Sequence, residues 1–351
     1  MAKRIAIIPG DGIGIEVTAE AVKVLQTLMA SRHLPLELVT LDWGAEKYLR
    51  EGVSLPDGAL EMLRRDFQAI FLGAVGDPRV ASNQHAVEIL LGIRFGLDLY
   101  VNQRPVKLLD ARLCPLKDRS EQDINFVIFR ENTEGAYVGM GGNFKRDTAD
   151  EIAVQEDVNT RKGVERILVY AFEYARCRGL KKVCMSDKSN ALPYGHGLWQ
   201  RTFAEVRQRY PEIESCHLYV DTLAMEMLRE PAQFEVIVTC NMFGDILSDL
   251  GAQLVGGLGV TPSGNIHPGQ ISMFEPVHGS ALALAGKDLA DPMAAILTVG
   301  MMLDYLGFPE IAAEIEKVVA RAIRAAKTTP DLGGPLGTRA VGDWICSQLA
   351  G

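Results

Sequence analysis

Two observations predict an α/β protein built on a mixed, mostly parallel sheet with helices on both faces. Short β-branched apolar runs recur along the chain, and longer amphipathic stretches lie between them. Residues 5–8, Ile-Ala-Ile-Ile, read as a first buried strand, and residues 16–29 carry apolar side chains at helical spacing. Residues 67–72, 126–129, 182–185 and 236–239 read as further buried strands, with helices over 163–176 and 198–208 between them. Runs of this kind, apolar at successive positions, suit a sheet covered on both sides. No internal repeat and no low-complexity tail interrupts the pattern.

Two segments depart from it. Residues 139–162 are polar, and within them Glu151-Ile-Ala-Val-Gln155 alternates as an exposed strand would. A strand pair there needs covering, and a second copy of the same arm would cover it, which predicts a two-fold dimer. Residues 256–270 are rich in Gly and Pro and are expected to form a loop or hinge.

With 351 residues, the chain exceeds one small core, so two domains are expected. Asp and Glu number 45 against 36 Lys and Arg, a net charge of −9, and no basic run is present, which argues against a nucleic-acid binder. The longest apolar stretch, 293–303, is too short to span a bilayer. Six cysteines without a CxxC pair, and a start too short in apolar residues for a signal peptide, predict a soluble cytoplasmic protein.

Pro9-Gly-Asp-Gly-Ile-Gly14 lies between a strand and a helix but fails the dinucleotide fingerprint. Its third glycine would fall at Ile15, and no acid closes the next strand at the usual distance. Asp245 and Asp249 are one helical turn apart and flanked by apolar residues. A hard divalent cation would want such oxygens plus another carboxylate, and Asp221 is a candidate third; two solvated acids remain the alternative. Arg94, Arg104 and Arg130 each follow a separate element and together offer guanidinium forks for carboxylates, although any one alone is better read as a surface ion-pair partner. Lys188 and Tyr137 could act as base and acid beside a cation. His278, in Glu275-Pro-Val-His-Gly-Ser, is a candidate ligand contact or a satisfied loop histidine.

Taken in order, these segments resemble the β-decarboxylating dehydrogenases that act on isopropylmalate, isocitrate, homoisocitrate and tartrate or D-malate. The resemblance runs end to end through Leu90-Leu-Gly-Ile-Arg94, Asn102-Gln-Arg-Pro105, Arg130-Glu-Asn-Thr-Glu-Gly135 with Tyr137, Asp187-Lys-Ser-Asn190, Asn241-Met-Phe-Gly-Asp-Ile-Leu-Ser-Asp249, Phe274-Glu-Pro-Val-His-Gly-Ser280 and Asp331-Leu-Gly-Gly334. It implies a two-lobed fold, with residues 1–101 and 254–351 on the cofactor side and 102–253 carrying dimerisation, metal and substrate, including the arm near 139–162. It also implies a homodimer with shared active sites. Arg94, Arg104 and Arg130 would hold the malate carboxylates of a 2-hydroxy dicarboxylic acid. Asp245 and Asp249 would bind Mg²⁺ or Mn²⁺ with Asp221 from the other subunit. Lys188 from that subunit would assist deprotonation, and Tyr137 would be the acid.

Leu90 and Leu91 stand where the family reads the variable substituent. An apolar patch there suits an isopropyl group and disfavours a third carboxylate, which makes 3-isopropylmalate the expected substrate and leucine biosynthesis the expected pathway. Tartrate or D-malate, and isocitrate or homoisocitrate, are the alternatives. The resemblance places NAD against His278, Gly279, Ser280, Ala281, Ala283 and Asp291. NAD-dependent relatives carry an acid where this chain has Ala283, NADP-dependent isocitrate relatives carry Lys and Tyr nearby, and neither set is present. Asp291 replaces an Asn near the adenine. A non-catalytic regulatory subunit is the reading from another functional class, and retention of the arginines, aspartates, Lys188 and Tyr137 argues against it.

Overall fold

The computed structural model describes residues 2–350. Its strands, in chain order, are β1 (Lys3–Gly10), β2 (Leu36–Thr40), β3 (Ala69–Ala74), β4 (Val101–Lys107), β5 (Asn125–Glu131), β6 (Gly141–Phe144), β7 (Ile152–Gln155), β8 (Lys182–Asp187), β9 (Glu214–Tyr219), β10 (Val236–Thr239), β11 (Pro262–Ile266) and β12 (Ser272–Pro276). The chain divides into two compact units. One comprises Met1–Leu99, Lys107–Glu121 and Ala252–Gly351, and the other Tyr100–Val106 and Gln122–Gly251.

In the first unit the strand order is β2-β1-β3-β12-β11. β1 runs parallel to β2 and β3, β12 runs parallel to β3, and β11 is antiparallel to β12. Residues 5–8 of β1 are buried throughout because each face of the sheet carries helices. Ala6 and Ile8, with Ile70 and Leu72 of β3, pack against Leu63, Ile89 and Ile93 from the helices Ala59–Asp66 and Gln84–Gly96. Strand side chains alternate in direction, so Ile5 and Ile7 face the other side. There the helices Ile13–Arg32 and Met293–Tyr305 lie against the sheet.

The segment 256–270, expected to be a loop or hinge, instead contains the strand β11. Ser263 and Asn265 are fully buried in it, and Gly264 stands opposite Phe274. Pairing with β12 overrides the poor strand propensity of this Gly- and Pro-rich stretch, and Pro262 sits at the first strand position, where a missing donor does little harm.

In the second unit the order is β4-β5-β10-β8-β9, with β5, β10, β8 and β9 mutually parallel. The helix Arg161–Arg178 covers this sheet. The hydroxyl of Thr160 caps its start by accepting from Gly163 N (3.0 Å), and Gly179, at φ 70°, ends it. Phe129 meets the rings of Tyr170 and Tyr174 edge-on beneath this helix. β6 and β7 form a separate antiparallel pair, exposed at every position, within the arm segment.

Parallel strands gather their carboxyl ends along one edge, and side chains for chemistry collect there. Arg130 is the penultimate residue of β5, Lys188 follows β8, Asp221 follows β9 and the helix Asn241–Leu254 follows β10. Arg104 and Arg130 lie inside β4 and β5 rather than after them, and Arg94 lies in the last turn of the helix Gln84–Gly96.

Candidate active site

The second unit assembles one tight cluster. Arg130, almost wholly buried, donates through Nε to Asn241 Oδ1 (2.7 Å) and through Nη1 to Asp245 Oδ1. Tyr137 donates its hydroxyl to Asp245 Oδ2 (2.8 Å), and its ring lies under the Arg130 guanidinium at 5.0 Å. Arg104, also buried, is held by Asn102 Oδ1 (2.8 Å), reaches Ser248 Oγ (3.4 Å), and stands 4.0 Å from Asp245. Gly244 makes this packing possible, since a Cβ there would fall 2.4 Å from Arg130 Cβ.

Asp249 follows one turn after Asp245 on the helix Asn241–Leu254. Its carboxyl is raised above the usual carboxylate range, first by loss of water around it and then by Asp245, with Arg104 and Arg130 opposing. The flanking apolar residues suggest a buried pair, but Asp245 is half-buried and Asp249 exposed, on a helix face that also leaves Ile246 exposed. Two carboxylates repelling each other, each with surface left open, make a donor set that fits a divalent cation.

Lys188 and Asp221 pair with each other at 2.5 Å, and Lys188 draws the Asp221 carboxyl below the usual range. Among the described residues no group of three or more acidic, histidine or cysteine side chains is placed to hold a metal ion, so Asp221 does not join Asp245 and Asp249 within one chain. Behind Lys188 lies a buried frame. Its backbone N–H donates to His196 Nδ1 (2.9 Å), while the neighbouring Asp187, fully buried, accepts from Ser189 N (3.0 Å) and Gln200 Nε2 (2.8 Å) and contacts His217 Nε2 (3.0 Å).

In the first unit, Arg94 donates to Glu275 Oε1 (2.8 Å), which also accepts from Asn265 Nδ2 (2.8 Å). The Nε of Arg94 is buried without a partner, an opening for an anionic oxygen. Leu91 precedes Arg94 by three residues on the same helix and is half-buried, whereas Leu90 leans on the core cluster around Ile89. Val87, half exposed, lies four residues before Leu91 and extends the same apolar face.

The loop after β12 packs on the Pro9–Gly14 turn. Ile13 N donates to Ser280 O (2.8 Å), and Gly12, at φ 57°, leaves the space that a Cβ would fill at 2.1 Å from that oxygen. Asp11 takes the amides of Ala45 (2.6 Å) and Gly76 (2.8 Å) and contacts His85 Nε2 (2.8 Å). The amides of Asp11, Ile13 and Gly14 donate to the carbonyls of Ala74, Ser280 and Asp11, so the turn is built for close packing within the protein. His278 keeps a shielded Nε2 without a partner, and burial lowers its basicity toward the neutral imidazole. Such an orphaned ring nitrogen beside exposed Gly279, Ala281 and Ala283 fits the nitrogen-rich edge of a nucleotide. Asp291 is buried and accepts from Met293 N (2.8 Å) at the start of the helix Met293–Tyr305. Burial, reinforced by Asp331, raises its carboxyl well above the usual range.

The sequence profile described as isocitrate/isopropylmalate dehydrogenase matches residues 4–345. The chain belongs to this family. A 3-isopropylmalate dehydrogenase of Thermobifida fusca is 45% identical over 349 residues, covering 99% of this chain and 98% of that one. One of Streptomyces griseus is 43% identical over 342 residues, covering 95% and 97%. The crystal structure of an isocitrate dehydrogenase from Methylococcus capsulatus superposes with a TM-score of 0.87 at 36% identity, covering 99% of this chain and all of that one. The α/β fold with its mostly parallel mixed sheet is therefore the family fold.

Sequence reasoning passed over Asn241, Glu275, Asn265 and the Asp187 frame. Asn241 and Glu275 lie within motifs already singled out, and their signal was polar identity at a strand or helix end. Asn265 carried no signal, because its segment reads as a loop.

Proposed function

We propose that the protein oxidatively decarboxylates 3-isopropylmalate with NAD⁺, yielding 4-methyl-2-oxopentanoate and CO₂ in leucine biosynthesis. The observation that carries the reading is the Arg130–Asp245–Tyr137 cluster with Arg104 and Asp249 beside it. It joins anion-gripping forks, a paired-carboxylate donor set and a proton-bearing hydroxyl.

Arg94, Arg104 and Arg130 grip the two carboxylates of the malate core, and their bidentate forks fix its orientation. Val87, Leu90 and Leu91 receive the isopropyl group, each buried CH₂ contributing about 0.8 kcal/mol, while a third carboxylate at the same place would lose its water uncompensated. Asp245 and Asp249, with Asp221 from a second subunit, would hold Mg²⁺ or Mn²⁺. When bound, the metal supplies charge that acidifies the C2 hydroxyl and stabilises developing enolate, and NAD⁺ supplies the hydride acceptor. Lys188 Nζ takes part in removing the hydroxyl proton, and Tyr137 Oη returns a proton to the enol carbon.

Two features support a homodimer. Asp221, to which Lys188 is paired, does not group with Asp245 and Asp249 within one chain, and the arm around β6 and β7 exposes Met140, Phe144, Ile152 and Val154 for a second copy to cover. The six cysteines are all free, which supports a reducing, cytoplasmic setting, and no described helix is long and apolar enough to cross a membrane.

The deciding experiment compares kcat/KM on 3-isopropylmalate, D-malate, tartrate and isocitrate, with Mn²⁺ and either NAD⁺ or NADP⁺. We expect 3-isopropylmalate and NAD⁺ to lead. Ala283→Asp should lower KM for NAD⁺ by restoring an acceptor for the ribose hydroxyls. A lead for isocitrate overturns the substrate reading, a lower KM for NADP⁺ overturns the cofactor reading, and no turnover by the pure protein supports a regulatory subunit.

A further inference from the structure

β8 and β9 carry more than their two terminal residues. Their register places Cys184 directly opposite Cys216. In a parallel pair, opposed residues project to the same face, and neighbouring strands lie about 4.8 Å apart, inside the Cα separation that a disulfide spans. The Cys184 thiol donates to Met185 O (3.9 Å). Their settings differ sharply: Cys184 is buried, and Cys216 is exposed on the last strand of the sheet order.

We propose that Cys184 and Cys216 form a peroxide-sensitive dithiol whose oxidation to a disulfide displaces β9 and slows turnover. The Cys184 sulfur and then Lys182 lower the Cys216 thiol against burial and Glu214, whereas the Cys216 sulfur and then burial raise Cys184. Cys216 is therefore the attacking thiolate. Its sulfur displaces hydroxide from hydrogen peroxide and becomes a sulfenic acid. The Cys184 sulfur then attacks that sulfur, and the departing oxygen leaves as water with the thiol proton. Overall, two thiols give up two hydrogens, and one peroxide becomes two waters.

The consequence for catalysis follows from the sheet. β8 is held by β10 on one side and β9 on the other, while β9 has only β8 as a sheet neighbour. Drawing the two Cβ atoms to disulfide distance moves the less restrained strand. β9 leads directly into Asp221, and β8 into Lys188, the pair joined at 2.5 Å. The effect on turnover rests on the roles proposed above for those two residues; the disulfide itself does not.

The test treats the reduced, full-length protein with hydrogen peroxide and reads three quantities. Peptide mapping should find Cys184 linked to Cys216, with the intact mass lighter by two hydrogens. Turnover of 3-isopropylmalate should fall by about 100-fold at full conversion, as expected for a displacement of roughly 1 Å in a site residue, and dithiothreitol should restore it. Cys216→Ser should keep basal turnover and lose the sensitivity. Cys177, exposed on the helix Arg161–Arg178, serves as an internal control that should not enter the link. Sulfinic acid at Cys216 without a link, or a link through Cys177, overturns the dithiol. A linked protein with full turnover, while Lys188→Met is inactive, overturns the coupling through β9. An active Lys188→Met sinks the role of Lys188 instead and leaves the link to be judged by mapping alone.

Discussion

The Arg130 cluster and the Lys188–Asp221 pair both take part in the proposed chemistry, yet they are built on opposite plans. Arg130 is 2% exposed and tied to Asn241, Asp245 and the Tyr137 ring, so its position is set several times over. The Lys188 side chain is 28% exposed and Asp221 63%, and each neutralises the other. The first group is preorganised by a single chain. The second is parked in an ion pair of the exposed kind, which is worth little and is easily exchanged for a better partner. On the mechanism proposed here, such a divided site would be completed when the parked pair meets a carboxylate and arginine cluster of a second copy.

The largest effects should come from the reacting groups. Lys188→Met and Tyr137→Phe should each reduce kcat by about 10²–10⁴-fold with unchanged thermal unfolding. Mixing the two variants should regain about one quarter of normal turnover through dimers with one intact site; no recovery would refute sharing. Gly244→Ala comes next. Its Cβ would collide with Arg130, which should cost about 1–3 kcal/mol of stability by denaturant titration and raise KM for the substrate. The exposed pair has no such neighbour, so Asp221→Asn should leave stability unchanged while weakening metal binding.

A smaller effect is expected from pH. Because Asp249 holds its proton above the usual range, Mn²⁺ affinity, followed by calorimetry, should begin to weaken at a higher pH than an ordinary aspartate would allow. An affinity flat down to pH 4 would contradict this. The smallest concerns Asp291, whose folded-state carboxyl is raised. The unfolded chain releases that proton above about pH 4, so the parent loses stability as pH rises from there toward the folded value. Asp291→Asn keeps an acceptor for Met293 N and removes this loss. Its gain in Tm, about a few degrees, should be larger at pH 8 than at pH 5.

Much of the fold was legible because apolar runs report burial directly: residues 236–239 were read as a strand and are β10. β11 was not, because its Ser, Gly and Asn acquire strand geometry only from a partner formed by residues farther along. At the site, residue types at element ends pointed to Arg130, Asp245, Tyr137 and Lys188. The hydrogen bonds that fix Arg130 to Asn241 and Arg94 to Glu275 are long-range pairings with no local periodicity to announce them.

The discontinuity of the first unit has a consequence for synthesis. β3 must pair with β12, and the chain between them includes all of the second unit. At about 5–20 residues per second, β3 waits on the order of 10–40 s on the ribosome with one apolar edge unmatched, while the inserted unit is already able to fold. Slow elongation between codons 74 and 272 would lengthen that vulnerable interval, making yield in the cell sensitive to translation speed and to chaperone supply.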